Sequence, residues 1–166
     1  KQVEIGWWET KKACRDVGRF TKNNGLVEFE SGGKIIFRSL ERPDNARGYS
    51  PQVIVLDEVG DIDGEAYYEV ILPMLLDNDG ELWMIGTPRG RNWLFDESLA
   101  FLEDEERCAY FNAPTLGCER DPITLELKRK PHPLENPEIS FDLVKHLYNT
   151  TPWNMFRQEV LAEFVE

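Results

Sequence analysis

Two adjacent carboxylates, Asp57 and Glu58, close the run Val53-Ile54-Val55-Leu56. Four successive β-favouring apolar residues read as a strand buried on both faces of a parallel sheet. The residues that follow such a strand stand at the mouth of the sheet, where open α/β folds bind their ligands. An aspartate there can hold Mg²⁺ against the β- and γ-phosphates of a nucleotide. A neighbouring glutamate can take a proton from an attacking water within hydrogen-bond reach. Gly86-Thr87-Pro88-Arg89-Gly90 leaves a second apolar run, Leu82-Trp83-Met84-Ile85. On a neighbouring parallel strand, Thr87 comes beside the carboxylate pair, and its hydroxyl can sense the γ-phosphate or the water. Arg47-Gly48 lies in the loop before the first strand, and an arginine on a mobile loop can stabilise charge on a transferred phosphoryl group. Each signal alone also admits a plainer reading: an acidic turn, a Gly-Pro strand exit, a solvated arginine.

The elements that must position these residues follow from periodicity and turn chemistry. Val3 to Val17 places apolar residues near a 3.6 period and reads as a helix. After a polar turn at Thr21–Gly25, Leu26–Glu30 and Lys34–Ser39 alternate around Ser31-Gly32-Gly33, a hairpin. Glu41 to Gln52 is a loop, and Glu65 to Leu76 a helix kinked at Pro73. A helix over Trp93–Leu102 and a strand over Arg107–Asn112 follow the second buried strand. Residues 113–139 hold five prolines and read as a linker or lid. Ser140 caps a helix over Phe141–Tyr148, and Thr151-Pro152 opens another that runs to about Phe164. The middle of the chain therefore alternates strand and helix, the pattern of an α/β sheet.

Composition narrows the function class. The chain has 166 residues, 41% apolar, enough to bury a core. No apolar run is long enough to span a membrane. Cys14, Cys108 and Cys118 show no metal spacing, and two histidines, His132 and His146, leave no zinc set. An odd number of cysteines fits reduced thiols and a cytoplasm-like compartment. The net charge is −12, but residues 1–50 carry +3 and the remainder −15. An acidic second half repels a phosphate backbone unless a basic strip or a metal intervenes.

The order hairpin, Arg47-Gly48, Val53–Glu58, Gly86–Gly90, then Gln158-Glu159…Ala162-Glu163-Phe164 resembles the ATPase domain of the large terminase subunit of tailed bacteriophages, the motor that packages DNA. The resemblance covers most of the chain from about Leu26, and more loosely the helix with Trp7-Trp8. Val53–Glu58 is similar to the family's Walker B segment and Gly86-Thr87-Pro88 to its coupling motif. Arg47 matches an arginine proposed in some members to act on a neighbouring subunit. The resemblance implies an α/β fold of the P-loop NTPase-like, additional-strand, catalytic-glutamate type. Its sheet would be mostly parallel, flanked by helices and incomplete at the N-terminus. Residues 1–139 would form the central and C-terminal part of the ATPase domain, and 140–166 a helical segment leading toward a nuclease domain. It further implies ATP and Mg²⁺ as cofactors, with Asp57 on the metal, Gly86 at the nucleotide, and Glu58, Thr87 and Arg47 in catalysis. Implied partners are double-stranded DNA, further copies in a homo-oligomeric ring, a portal protein and a small terminase subunit. The implied location is the cytoplasm of the bacterial host, on the prohead, with no membrane partner.

One part of that family's site is missing. No G-x-x-x-x-G-K-[ST] loop occurs in the 166 residues. Gly32-Gly33-Lys34 lies between short strands and has no Ser/Thr after the lysine, so it is not a phosphate cradle. The expectation is a fragment that is inactive by itself. A helicase-type motor fragment and a non-catalytic prophage remnant acting as an interaction module remain as alternatives. Trp7, Trp8, Trp83, Trp93 and Trp153 read as core or contact aromatics, Lys128-Arg129-Lys130 as a solvated loop, and Asp61 and Asp63 as acids of a helix-capping turn.

Overall fold

A computed structural model describes residues 2–166, with Gln2 described by its backbone alone. It divides into two compact units. One runs to Gln52 and includes Glu65–Gly80, and the other comprises Val53–Gly64 and Glu81–Glu166.

The first unit is built around Trp7. Helix α1 spans Gln2–Cys14 and buries Trp7 to 4% exposure. The rings of Phe20 and Phe37 meet Trp7 edge-on at 5.7 and 5.8 Å. The helix ends three residues before the expected Val17, because the chain turns there into a strand that periodicity does not mark. This strand, β1 (Gly18–Thr21), is too short for its alternation to stand out. It pairs antiparallel with β2 (Leu26–Phe29), which pairs antiparallel with β3 (Lys34–Ile36). Gly25 joins β1 to β2 at φ 51°, and a Cβ there would lie 2.7 Å from the Phe37 carbonyl oxygen. Only glycine fits that turn.

In the same unit, the helix expected over Glu65–Leu76 is present, interrupted by a π-helical turn before Pro73. A π-helical turn, Tyr67–Ile71, precedes helix α3 (Leu72–Leu76). Pro73 has no N–H to give, and the widened turn just before it absorbs the missing bond. Tyr67, Val70, Ile71 and Leu75 are buried. A three-residue helix, α2 (Gly64–Ala66), leads into this stretch.

The second unit holds the parallel pair β4 (Val53–Asp57) and β5 (Glu81–Ile85). Its register sets Val55 opposite Trp83 and Asp57 opposite Ile85. The sheet departs from expectation in two ways. Among the described residues it has two strands, and the other two sheets are antiparallel, so a mostly parallel sheet is not what forms. Nor are its strands buried on both faces. Leu56 is buried, whereas Val53, Val55, Trp83 and Ile85 are 51–60% exposed. Side chains alternate across a strand, and one face of this pair carries no covering layer among the described residues.

Helix α4 (Trp93–Glu103) starts where the Asn92 side chain accepts the Leu94 N–H at 3.2 Å. The strand expected over Arg107–Asn112 does not form. Its side chains alternate in exposure from Cys108 to Asn112, but no strand among the described residues pairs with it. Asn112 instead donates its side-chain amide to the Ala162 carbonyl at 2.7 Å.

The Pro-rich stretch is not a lid. It contains the antiparallel hairpin β6 (Cys118–Arg120) and β7 (Leu127–Arg129). Leu116, Cys118 and Leu127 join one buried cluster with Val144, Phe156, Val160 and Leu161. The core of this unit thus runs across residue 139. Helix α5 (Phe141–Thr150) is capped by Ser140, whose hydroxyl accepts the Leu143 N–H at 3.3 Å. Helix α6 (Trp153–Glu159) stops five residues before the expected Phe164, and Pro152 rather than Thr151 stands at its N-cap. Ala162 turns left-handed at φ 54°, and the Thr115 N–H takes the Val160 carbonyl at 2.8 Å. These contacts hold 160–166 as a non-helical tail that buries Val160, Leu161 and Val165.

Lys128 and Arg129 sit on β7 and Lys130 follows it, and each is paired, with Asp121, Glu135 and Glu119. The run is thus an exposed strand end rather than a loop, and its charges are already matched by carboxylates. Of the tryptophans, Trp8 and Trp83 are more than half exposed and so do not belong to a core.

Glu135 organises the hairpin. It accepts two bonds from Arg129, one from the Gly117 N–H at 2.8 Å and one from the His132 N–H at 3.1 Å. The Arg129 guanidinium first, then the Gly117 N–H, hold its carboxyl down at about 2, from an ordinary 4.5. The folded state therefore favours the ionised form. The stability this contributes is full above about pH 4.5 and is lost as pH falls through about 2. Glu135→Gln is expected to flatten the acid limb of unfolding between those pH values. Fluorescence-monitored denaturation at stepped pH checks this, and an unchanged limb would contradict it.

Candidate active site

Strand β4 delivers both carboxylates. Asp57 is its last residue and is exposed, and Glu58 follows half-buried. The Asp57 Oδ1 accepts the Glu58 N–H at 3.1 Å. Glu58 adopts φ 52°, ψ 45°, a left-handed conformation that costs a residue with a Cβ roughly 1–2 kcal/mol. Strain of this kind persists where surrounding structure enforces it, and it concentrates at functional positions. Here the Glu58 carbonyl accepts the Asp61 N–H at 2.9 Å, which folds Val59–Asp61 into a tight 3₁₀ turn.

Strand β5 brings the second motif to the same place. Gly86 packs its backbone on this turn, so that a Cβ there would lie 2.8 Å from Val59 N and 3.3 Å from Glu58 Cα. Both neighbours are backbone and cannot rotate away. Gly86→Ala is expected to cost about 1–3 kcal/mol by overpacking, read from the denaturant midpoint. A cost below a few tenths would show that the two loops separate freely. Thr87 is half-buried, and its carbonyl stands where a Cβ on Gly60 would collide with it. The structure thus brings Gly86 onto the Glu58–Val59 backbone and the Thr87 carbonyl onto Gly60 of the same turn.

Sequence reasoning assigned no role to Gly60 or Arg89. The Arg89 guanidinium pairs with Asp61 at 3.1 Å and with Glu159 on α6 at 3.0 Å. Asn92 donates to the Gly60 carbonyl at 3.1 Å, and the Gly90 N–H reaches the Gln158 side chain at 3.4 Å. The Gln158-Glu159 segment thus holds the loop that carries Thr87. An arginine set between a proline and a glycine just after a strand was the available signal. Asp61 belongs to this network and to the 3₁₀ turn.

Arg47 belongs to the other unit. It is exposed at the end of a short 3₁₀ turn, where its Nε binds Asp44 at 2.7 Å and its Nη1 donates to the Glu69 carbonyl at 3.2 Å.

No group of three or more His, Cys, Asp or Glu side chains that could hold a metal exists among the described residues. This donor set still suits Mg²⁺, which is commonly bound by one or two carboxylates, with water and phosphate completing its shell. The free Oδ2 of Asp57 is such a donor. None of the helices among the described residues is long and apolar enough to cross a membrane.

No family profile matches the chain. The large terminase subunits of Thermus phage G20c and Thermus virus P23-45 are each 39% identical to it over 59 residues. That stretch is 36% of this chain and 12% of each relative's length. Among solved structures, the large terminase ATPase domain of Thermus phage P74-26 superposes with a TM-score of 0.63 at 24% identity. This covers 99% of the present chain and 72% of that one. A point mutant of the same domain gives 0.64 at 23% identity, over 99% and 73%. In fold over nearly its whole length the chain is similar to the large terminase ATPase domain of a Thermus phage, and in sequence over 59 residues to the large terminase subunits of two Thermus phages.

Proposed function

We propose that the chain is part of the ATP-hydrolysing motor of a viral DNA-packaging terminase, which drives double-stranded DNA into a prohead. The observation that carries this reading is the strained Glu58, seated against Gly86 at the carboxyl end of a parallel strand in a terminase-like fold. Asp57 would hold Mg²⁺, which when bound neutralises charge on the β- and γ-phosphates. Glu58 orients a water and accepts its proton. Thr87, carried by the loop that Arg89 ties to Asp61 and Glu159, links the state of this site to the neighbouring helix. Gly86 lets that loop approach the nucleotide side of the carboxylates. Arg47 acts on the site of an adjacent copy in a homo-oligomeric ring. Portal protein and small terminase subunit are the proposed partners, and the host cytoplasm is the proposed location.

The 166 residues hold no phosphate-binding loop of the G-x-x-x-x-G-K-[ST] type. Backbone N–H groups of such a loop supply much of the grip on the triphosphate. The chain by itself is therefore proposed to be inactive. The test is Mg²⁺-dependent ATP turnover by this chain, and by a chimera in which a phosphate-binding strand–loop–helix precedes it. The expected results are no turnover in the first and turnover in the second. Turnover by the 166 residues alone would overturn the inactivity, and a silent chimera would count against the assignment of the site.

A further inference from the structure

Helix α1 carries a second aromatic face that the packing around Trp7 does not use. Trp8 is 53% exposed, and two ammonium groups sit over its ring, Lys11 Nζ at 5.2 Å and Lys22 Nζ at 5.5 Å from the centroid. Lys11 lies one turn along the helix, and Lys22 comes from the 3₁₀ turn after β1. Neither has a carboxylate within 4 Å among the described residues. The neighbouring Lys12 pairs with Glu9, and Lys34 with Glu28. Acids outnumber bases 31 to 19 in this chain, so two unpaired lysines sharing one exposed indole stand out. They also fall in the part of the sequence whose net charge is positive. The acid nearest in helical phase is Glu4, one turn before Trp8.

We propose that Trp8, Lys11 and Lys22 form a contact surface for the sugar–phosphate backbone of duplex DNA. The ammonium groups neutralise phosphates and release condensed counterions, and the indole packs against the sugar between them. Cation–π contact holds both lysines in place without satisfying their charge, so little is lost when a phosphate arrives. The choice of DNA over an acidic polypeptide rests on the packaging role proposed above, whereas the basic–aromatic cluster does not.

The test is anisotropy of a labelled duplex of about 30 base pairs, titrated with the 166-residue chain between about 50 and 200 mM salt. The double variant Lys11→Gln/Lys22→Gln is expected to weaken binding at least about tenfold and to make the slope of log K against log salt shallower by about 2. Trp8→Ala is expected to weaken binding with the salt slope unchanged. Lys12→Gln, whose ammonium is already paired, serves as the control and is expected to change neither quantity much. All four side chains are exposed, and circular dichroism confirms that each variant folds. The proposal is overturned if the wild-type chain does not bind duplex, or if the double variant matches it in affinity and slope. It is also overturned if polyglutamate binds as tightly as DNA, which would assign the patch to an acidic protein surface. Glu58→Gln leaves this binding intact, so loss of the ATPase reading and loss of this surface are separately visible.

Discussion

Glu58→Gln is expected to lower Mg²⁺-dependent ATP turnover by about 10²–10⁴-fold in the chimera carrying a phosphate-binding loop. The amide keeps the size and shape of the side chain and removes its capacity to accept a proton. The loss corresponds to about 3–5 kcal/mol of activation free energy. Nucleotide affinity and fold stability are expected to stay close to wild type, because Glu58 makes its recorded hydrogen bonds through its backbone. Phosphate release measured beside fluorescent-nucleotide binding separates these effects. Equal loss of binding and turnover would make Glu58 a structural residue, and unchanged turnover would remove it from the reaction.

Phe156→Ala is expected to destabilise the second unit by about 3–5 kcal/mol. Phe156 is fully buried. It stacks on Trp153 at 5.8 Å and meets Tyr148 edge-on at 5.4 Å. Around it pack residues from the β6–β7 hairpin and from α5 and α6. The cavity left by the ring borders three elements that hold one another in place, so collapse recovers little. The midpoint of denaturant unfolding reads the loss, with the slope m held constant. A loss under about 1 kcal/mol would mean that this cluster is not the core of the unit.

Much of the candidate site was legible because its signals are local. An apolar run ending in Asp57-Glu58, and a second ending in Gly86-Thr87, set both motifs at strand ends. Parallel pairing in register then brings them together. Other features depend on partners distant in the chain. Nothing near Glu58 announces its left-handed backbone, against which Gly86 packs from just beyond the next strand. The apolar runs of β4 and β5 promise burial on both faces, but burial also needs a covering layer, and Val55 and Trp83 have none among the described residues. Cys108–Asn112 alternates as a strand should and lacks only a strand beside it. The stretch at 113–139 looked like a lid because proline is frequent there. Leu116, Cys118 and Leu127 decide its fate, since Val144 and Phe156 give them a core to join. Val160-Leu161 continues the apolar face of the last helix in sequence, but the Thr115 N–H claims the Val160 carbonyl and the helix ends before it.

The most direct test of the account is a structure of the loop-bearing chimera with Mg²⁺ and a non-hydrolysable ATP analogue. The account predicts the metal in the shell of Asp57, directly or through one water, with the γ-phosphate facing Glu58 and Thr87. A nucleotide bound elsewhere, or a metal held without Asp57, would contradict it.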